Sequence, residues 1–485
     1  MKAVLLTLAL ASCASAQSLT PDRVLVLYNS QNAESLAVRN AYIAARPGVL
    51  EFDLDHPNLG PGALTRANYR SRVRDPLRAH LQTLEGGTAL AEQVIAIATT
   101  RGLPARINGA GEFTLGSQRA SLESELSVLF QDLDAAGSGS LSFQYSGMLD
   151  NPYHFVTNTP IASYSRSNIQ TPAPFSRVNF GSGQDAWSSS SLTPGDMYLV
   201  CRLDAGAGTT TTALEETLAL IDRSSDPAQM HVSLECVQAL LDEFPAGADQ
   251  LDDDGASPLF PSNQDFEQTR STLIGLGVTT THDESTNFIT GPELAGTQPL
   301  LVLGTYGENH DLDGAGDNPP GVGTYLTTYT PHPAGVLVTY ESFSGNCLID
   351  GTQRQNQACA TDWIVGGGSF TIPTVAEPFT LAVADLEAFV PNMYIHGMTF
   401  AEAAYASMPA LSWTNVPVGD PLARVSVGSS APTDLSGDGM VDSTDLAILL
   451  AAWDTSNVDF NGDGVTDSSD LAVLLAAWGT AGGCV

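Results

Sequence analysis

Short apolar runs and stretches with helical spacing take turns along most of this 485-residue chain, from about residue 21 to residue 427. DRVLVLYN (22–29) is rich in Val and Leu and reads as a buried strand. SQNAESLAVRNAYIAAR (30–46) follows with helical spacing, and Ser30 stands where a capping hydroxyl is wanted. Arg70 to Leu84 reads as a helix, and EQVIAIATTRGLP (92–104) as a second buried strand ended by Gly and Pro. LESELSVLFQDL (122–133) is helical, DMYLVCRLDAG (196–206) a strand, and TTALEETLALIDR (211–223) its following helix. MHVSLE (230–235), FEQTRSTLIGLG (266–277), QPLLVLGTYG (298–307) and AGVLVTYESFSG (334–345) continue the alternation. Such a rhythm predicts an α/β body with a mostly parallel sheet and helices on both faces. Residues 136–195 break it. They are rich in Ser, Asn, Pro and aromatics and predict an insertion or long surface loops.

The formal net charge is −35. A surface of that sign repels nucleic acid and anionic membranes and suits cation binding. At the N-terminus, MKAVLLTLALASCASAQ combines one Lys, an apolar run and Ala14-Ser15-Ala16. This is the form of a secretory signal (residues 1–16), with cleavage expected after Ala16. Leu10-Ala11-Ser12-Cys13 within it also has the form of a lipoprotein box, which would put lipid on Cys13. No later run offers 18 apolar residues, so no transmembrane anchor is expected. Five cysteines follow the signal: 201, 236, 347, 359 and 484. An odd number in an exported chain leaves a free thiol or an intermolecular bond, and Cys347 and Cys359 are close enough in sequence to pair.

After a short Gly-Ser-Ser-Ala-Pro linker (428–432), residues 433–485 write one unit twice: DLSGDGMVDSTDLAILLAAW, then DFNGDGVTDSSDLAVLLAAW. With Asp434 as position 1 of a twelve-residue loop, Ser436 is 3, Asp438 is 5, Met440 is 7, Asp442 is 9 and Asp445 is 12. In the second copy Asp459, Asn461, Asp463, Val465, Asp467 and Asp470 take those places. Calcium is a hard cation that takes six to eight oxygens at this alternating spacing. Position 7 gives only its carbonyl, so Met and Val are acceptable there. Gly439 and Gly464 make the sharp turn at position 6. Nine acids and no base lie between 434 and 485, a cluster that would repel itself without a cation. Two Ca2+ ions are expected.

Loop-then-helix, doubled at about 25 residues and set behind a linker, resembles a type I dockerin, an all-α calcium-folded module. That resemblance implies docking onto a cohesin-like domain or a cell-surface anchor. Ser443-Thr444 and Ser468-Ser469 match the family's partner-reading positions 10 and 11. The closing Gly-Gly-Cys484-Val485 resembles a variant with a Gly-Cys element.

The body resembles a family of exported bacterial proteins common in planctomycetes and myxobacteria, for which no activity is established. The matching stretches include VLVLYNSQNAESLAVRNAYIAARPG, VIAIATTRGLPARI, DNPYH, YLVCRLDAG, MTFAEAAYASMPALSW and VGDPLAR. Its end is similar in layout to gingipain-type cysteine peptidases, which have a caspase-like α/β fold. QPLLVLGTYGENHD (298–311) stands where that family's His strand belongs, and AGVLVTYESFSGNC (334–347) where its Cys strand belongs. Gly419-Asp420-Pro421 stands at the close. The pattern departs in that His310 sits late, the second strand ends in Glu341, Ser342 and Ser344, and Cys347 comes three residues beyond.

Ligands bind at the carboxyl ends of strands in open α/β sheets. That rule gathers Tyr306, Glu308, His310, Glu341, Ser342, Ser344 and Glu377 near one rim. Ser342, His310 and Glu341 are the candidate catalytic set for nucleophilic hydrolysis. The alternative is a polar rim that caps loops or binds without catalysing. LDDDG (251–255) and DLDGAGDN (311–318) read as acidic surface turns. Arg101 and Arg202 end strands, where they either hold an anion or pair with carboxylates. Two function classes remain. One is a calcium-dependent anchored protein with a binding body. The other is a secreted hydrolase, on peptide or polysaccharide, delivered by its tail.

Overall fold

In the computed structural model of the protein, the described residues are 19–108, 119–131, 149–171, 175–178, 187–190, 192–206, 212–243, 266–285, 288–294, 298–307, 324–352, 357–378, 383–428, 433–436, 441–455, 457–460 and 465–479. Among them, the body is mixed α/β, built on parallel sheets with helices on both faces. The strands of its two main parallel sheets are β1 (Val24–Tyr28), β2 (Leu50–Asp53), β3 (Ala96–Thr100), β4 (Leu199–Leu203), β5 (Gln238–Asp242), β6 (Thr279–Asp283), β7 (Leu300–Thr305), β8 (Pro331–Thr339) and β9 (Phe370–Thr371). Body helices include α1 (Ala33–Ala45), α2 (Leu122–Ser127), α3 (Ala213–Ser225), α4 (Phe266–Gly275) and α5 (Phe400–Ser407), and the tail contributes α6 (Ser443–Ala451) and α7 (Ser468–Ala476).

The strand order is β2-β1-β3-β4 in the first sheet and β6-β5-β7-β8-β9 in the second, with every neighbouring pair parallel. Each sheet therefore starts at its second position, steps back to its first strand, and then crosses to its third. The same winding occurs twice. The extended residues 417–419 join the two sheets. Val418 pairs in parallel with Arg202 of β4 and antiparallel with Thr371 of β9. Arg202 N donates to Pro417 O at 2.7 Å, and Gly419 N donates to Arg202 O at 3.0 Å.

Alternation within each strand explains why both faces are covered. In β1, Val24 and Val26 pack with Val38 and Tyr42 of α1, whereas Leu25 and Leu27 pack with Leu122 and Leu126 of α2. In β8, Val336 and Val338 enter one core and Leu337 the other. Side chains two residues apart share a face, so a strand apolar at every position is buried from both sides.

Gly419-Asp420-Pro421 is a clasp at the end of the body. A side chain on Gly419 would lie 2.7 Å from the Phe400 ring, and its φ of +152° suits glycine. Asp420 is fully buried. It accepts from Tyr42 Oη at 2.9 Å and from Arg46 Nε at 2.8 Å, tying the C-terminal end of α1 to the end of the body.

Local details differ from the sequence reading. Asn32, not Ser30, caps α1, accepting from Glu34 N and Ser35 N at 3.0 Å each. Ser30 instead gives its N–H to Asp53 at 2.9 Å. Within 136–195, the described residues include short strands at Leu149–Asp150, Phe175–Val178 and Trp187–Ser190, which form a small separate sheet with Ala410–Leu411. Asn151 anchors that segment to the C-terminal end of α5, donating to Tyr405 O and Met408 O at 2.7 Å each. Cys347 and Cys359 form a disulfide with Cα atoms 6.1 Å apart. Cys236 is disulfide-bonded as well. Cys201 is a buried free thiol, and burial pushes it up, which keeps it unreactive.

Candidate functional site

Two regions carry chemistry: the carboxyl rim of the second sheet and the doubled tail. At the rim, β5 runs out into Asp242-Glu243, β6 ends at His282-Asp283, β7 runs into Thr305-Tyr306-Gly307, and β8 into Thr339-Tyr340-Glu341-Ser342. Glu308 and His310 lie outside the described residues, as do the acidic turns 251–255 and 311–318.

Glu341 and Ser342 are neighbours in sequence but serve different partners. Glu341 is fully buried. Its Oε2 accepts from Tyr325 Oη at 2.6 Å and Thr339 Oγ1 at 2.8 Å, and its Oε1 from Ala358 N at 2.8 Å. The carboxylate thus fastens the segment next to Cys359 onto the end of β8. Gly307 makes room for it, since a side chain there would come within 2.4 Å of Glu341 Cδ. Tyr325 is held neutral, its hydroxyl pushed well up by burial and then by the Glu341 charge. Ser342 keeps a little exposure and donates to Glu377 Oε2 at 2.6 Å. The structure therefore brings Ser342 together with Glu377, and not with Glu341. Ser344 is buried and accepts from Thr374 N at 3.2 Å. Tyr306 is buried in an aromatic cluster, 4.8 Å from Tyr340 between ring centroids.

The strand-end arginines are structural partners of carboxylates. Arg101 binds Asp204 at 2.8 Å and Glu34 at 3.1 Å. Arg202 is wholly buried, with Glu123 at 2.9 Å, Asp204 at 3.4 Å and the carbonyls of Leu103 and Pro104 at 3.2 and 2.5 Å.

One rim feature escaped the sequence reading. Glu243, Glu267 and His282 each offer one ligand atom, and these atoms all lie within 4.8 Å of one another. The signal was there in part: LLDE and THD both put ionisable residues at the end of an apolar or β-branched run.

In the tail, the described loop residues are Asp434, Ser436, Asp442 and Asp445 in the first copy and Asp459, Val465, Asp467 and Asp470 in the second. Asp438, Met440, Asn461 and Asp463 lie outside them. Asp442 and Asp467 cap α6 and α7, accepting from Thr444 N at 2.7 Å and Ser469 N at 2.6 Å. Asp445 and Asp470 are buried and turn back into their loops. Asp445 accepts from Asp442 N and Ser436 N, both at 2.7 Å. Asp470 accepts from Asp467 N at 2.8 Å and Phe460 N at 2.7 Å. Burial works to raise the Asp445 carboxyl, but the backbone N–H groups of Asp442 and Ser436 outweigh it, and the group sits below its ordinary value. Ser436 Oγ lies 3.2 Å from Asp434 Oδ1, so positions 1 and 3 converge. A carboxylate oxygen bonded to one N–H retains a second lone pair. The donor set therefore fits a hard, oxygen-seeking cation.

The two copies are locked reciprocally. Asp454, just past α6 and in the left-handed region, donates to Thr466 O of the second loop at 3.0 Å. Gly479, 25 residues on, donates to Val441 O of the first loop at 2.9 Å. Val441, Leu449, Ala452, Val458 and Leu474 form the shared core. Outside it, the exposed side chains also repeat. Ser443 and Thr444 match Ser468 and Ser469, Ile448 matches Val473, and Leu450 and Leu475 are each 51% exposed.

Comparison with protein-family models, curated proteins and solved structures returns no match for this chain. Among the described residues, no helix is long and apolar enough to cross a membrane.

Proposed function

We propose that this is an exported, calcium-dependent protein held in a complex or at a cell surface by its C-terminal module. That module docks as a type I dockerin does, onto a cohesin-like partner, and the α/β body carries a binding function. The observation that carries this reading is the doubling of the tail at three levels. The oxygen spacing repeats, the two copies bond to one another reciprocally, and the exposed Leu450 and Leu475 repeat outside the shared core. Solvent-exposed leucines at equivalent positions, in helices that each open on a hydroxyl pair, offer a partner two similar faces. The Cys347–Cys359 disulfide supports an oxidising destination.

Calcium titration of the full chain tests it. Calorimetry is expected to count about two ions, and circular dichroism to show helix gained with calcium and lost to a chelator. No heat at millimolar calcium would remove the docking reading.

A second reading has its own observation: Ser342, hydrogen-bonded to Glu377, sits at the end of β8 where a caspase-like layout would put its nucleophile. On that reading the body is a hydrolase of acyl-transfer type and the tail delivers it. Ser342→Ala and His310→Ala in otherwise folded protein are expected to abolish hydrolysis of an ester or peptide panel. Rates equal to those of the unsubstituted chain would leave the binding reading alone.

A further inference from the structure

The geometry points to a transition-metal site of zinc type at the rim, formed by Glu243, Glu267 and His282. The three come from separate elements. Glu243 follows the end of β5, His282 lies in β6, and Glu267 is in the first turn of α4. Their ligand atoms nevertheless converge within 4.8 Å. The frame holding them is rigid. Leu241 and His282 are paired in the sheet, and Glu243 N donates to Asp283 O at 3.0 Å. Phe266, next to Glu267, stacks on Tyr340 at 5.4 Å and fixes the start of α4 against the end of β8. The side chains of Glu243 and His282 are 3% and 8% exposed, and His282 Nε2 meets Glu243 Oε1 directly. Glu267 is exposed, which leaves the cluster open to solvent on that side.

The donor set decides the class of ion. An imidazole nitrogen with two carboxylates suits zinc, manganese or iron, and does not suit calcium or magnesium, which take oxygen alone. Two carboxylates and a neutral imidazole balance a divalent charge. Three protein donors leave a tetrahedral ion one position for water, the arrangement of catalytic rather than structural zinc. The competing state is the direct His282–Glu243 contact, which an entering ion would have to open. The site lies at the carboxyl ends of the neighbouring strands β5 and β6, on the rim where open α/β sheets receive ligands. It differs from the tail loops in both its donors and its ion preference.

The test uses the full chain, stripped of transition metals and held in saturating calcium. Zn2+ is titrated by calorimetry, and Co2+ by visible absorption. The expected result is about one Zn2+ per chain. His282→Ala is expected to weaken it by about 100-fold or more, beyond the roughly 10–100-fold that loss of an outer-shell partner costs. Glu267→Gln, an isosteric change at an exposed position in the first turn of α4, is expected to weaken Zn2+ and to change the Co2+ spectrum. Zn2+ binding unaltered in Glu267→Gln, or absent at millimolar Zn2+ in the unsubstituted chain, overturns the site.

Discussion

Arg202→Leu is expected to cost about 3–5 kcal/mol of folding free energy, the range for removing one partner of a buried ion pair. Arg202 has no exposed surface, and neither has Glu123. The guanidinium does three things at once. It neutralises Glu123 at 2.9 Å, satisfies the carbonyls of Leu103 and Pro104, and holds the strand beside which residues 417–419 join the two sheets. Burial already pushes the Glu123 carboxyl up, and Arg202 partly offsets that. Without Arg202 the folded-state carboxyl rises further above its unfolded value. The protonated form is then the one that folding favours, so the variant's stability falls as pH rises between the two values and recovers on acidification. Denaturant midpoints at pH 5 and pH 8 check this, with the larger deficit expected at pH 8. Adding Glu123→Leu should restore part of the loss, because an apolar pair can replace a buried ionic one at little cost. The rest should persist, since the two carbonyls stay unsatisfied. A loss under about 1 kcal/mol would mean that Arg202 is not the neutralising partner that the geometry makes it.

Asp445→Asn is expected to remove calcium from the first loop while sparing the second. The substitution keeps the side-chain shape and loses the charge of the last ligand, whose carboxylate also receives two backbone N–H groups. Charge count and rigidity set loop affinity over several decades, so a loss on the order of 100-fold is expected at that loop. Calorimetry should then count about one strong ion, and Asp445→Asn with Asp470→Asn none. Helix should fall with stoichiometry. Acid should act in the same direction without substitution. Asp445 lies below its ordinary value, so its contribution to stability is present above the unfolded value of about 3.9 and lost as pH falls through the folded one. A calcium-loaded chain whose tail is as helical at pH 3 as at pH 7 would contradict this.

The α/β class was legible because fully apolar runs such as LVLY and LLVL need cover on both faces, which parallel sheets with flanking helices supply. The first strand of the second sheet in chain order was not legible. QALLD is made of good helix formers, and MHVSLE, with its β-branched residue, looked the better strand. In the folded chain, burial between β6 and β7 overrides propensity and makes Gln238–Asp242 the strand around which the second sheet winds. Among the described residues, His231–Ser233 pairs with Ser426–Gly428 in a small two-stranded sheet of its own. With QALLD and TTTHD unread, Glu243 and His282 could not be brought together on paper.

Local spacing within one stretch of chain was enough to read the tail's ligand pattern, because a calcium loop draws its donors from twelve consecutive residues. The rim is different, since its groups come from residues up to 135 positions apart, between Asp242 and Glu377. Sequence placed Ser342 and Glu341 side by side as one catalytic set. Tertiary structure gave Ser342 to Glu377 and closed Glu341 against Tyr325, Thr339 and Ala358. Successive residues leaving a strand point to opposite sides, and which neighbour each one meets depends on strand order, crossing loops and the Cys347–Cys359 bond. Periodicity carries information about faces, and contacts across a sheet exist only once the strands have been ordered.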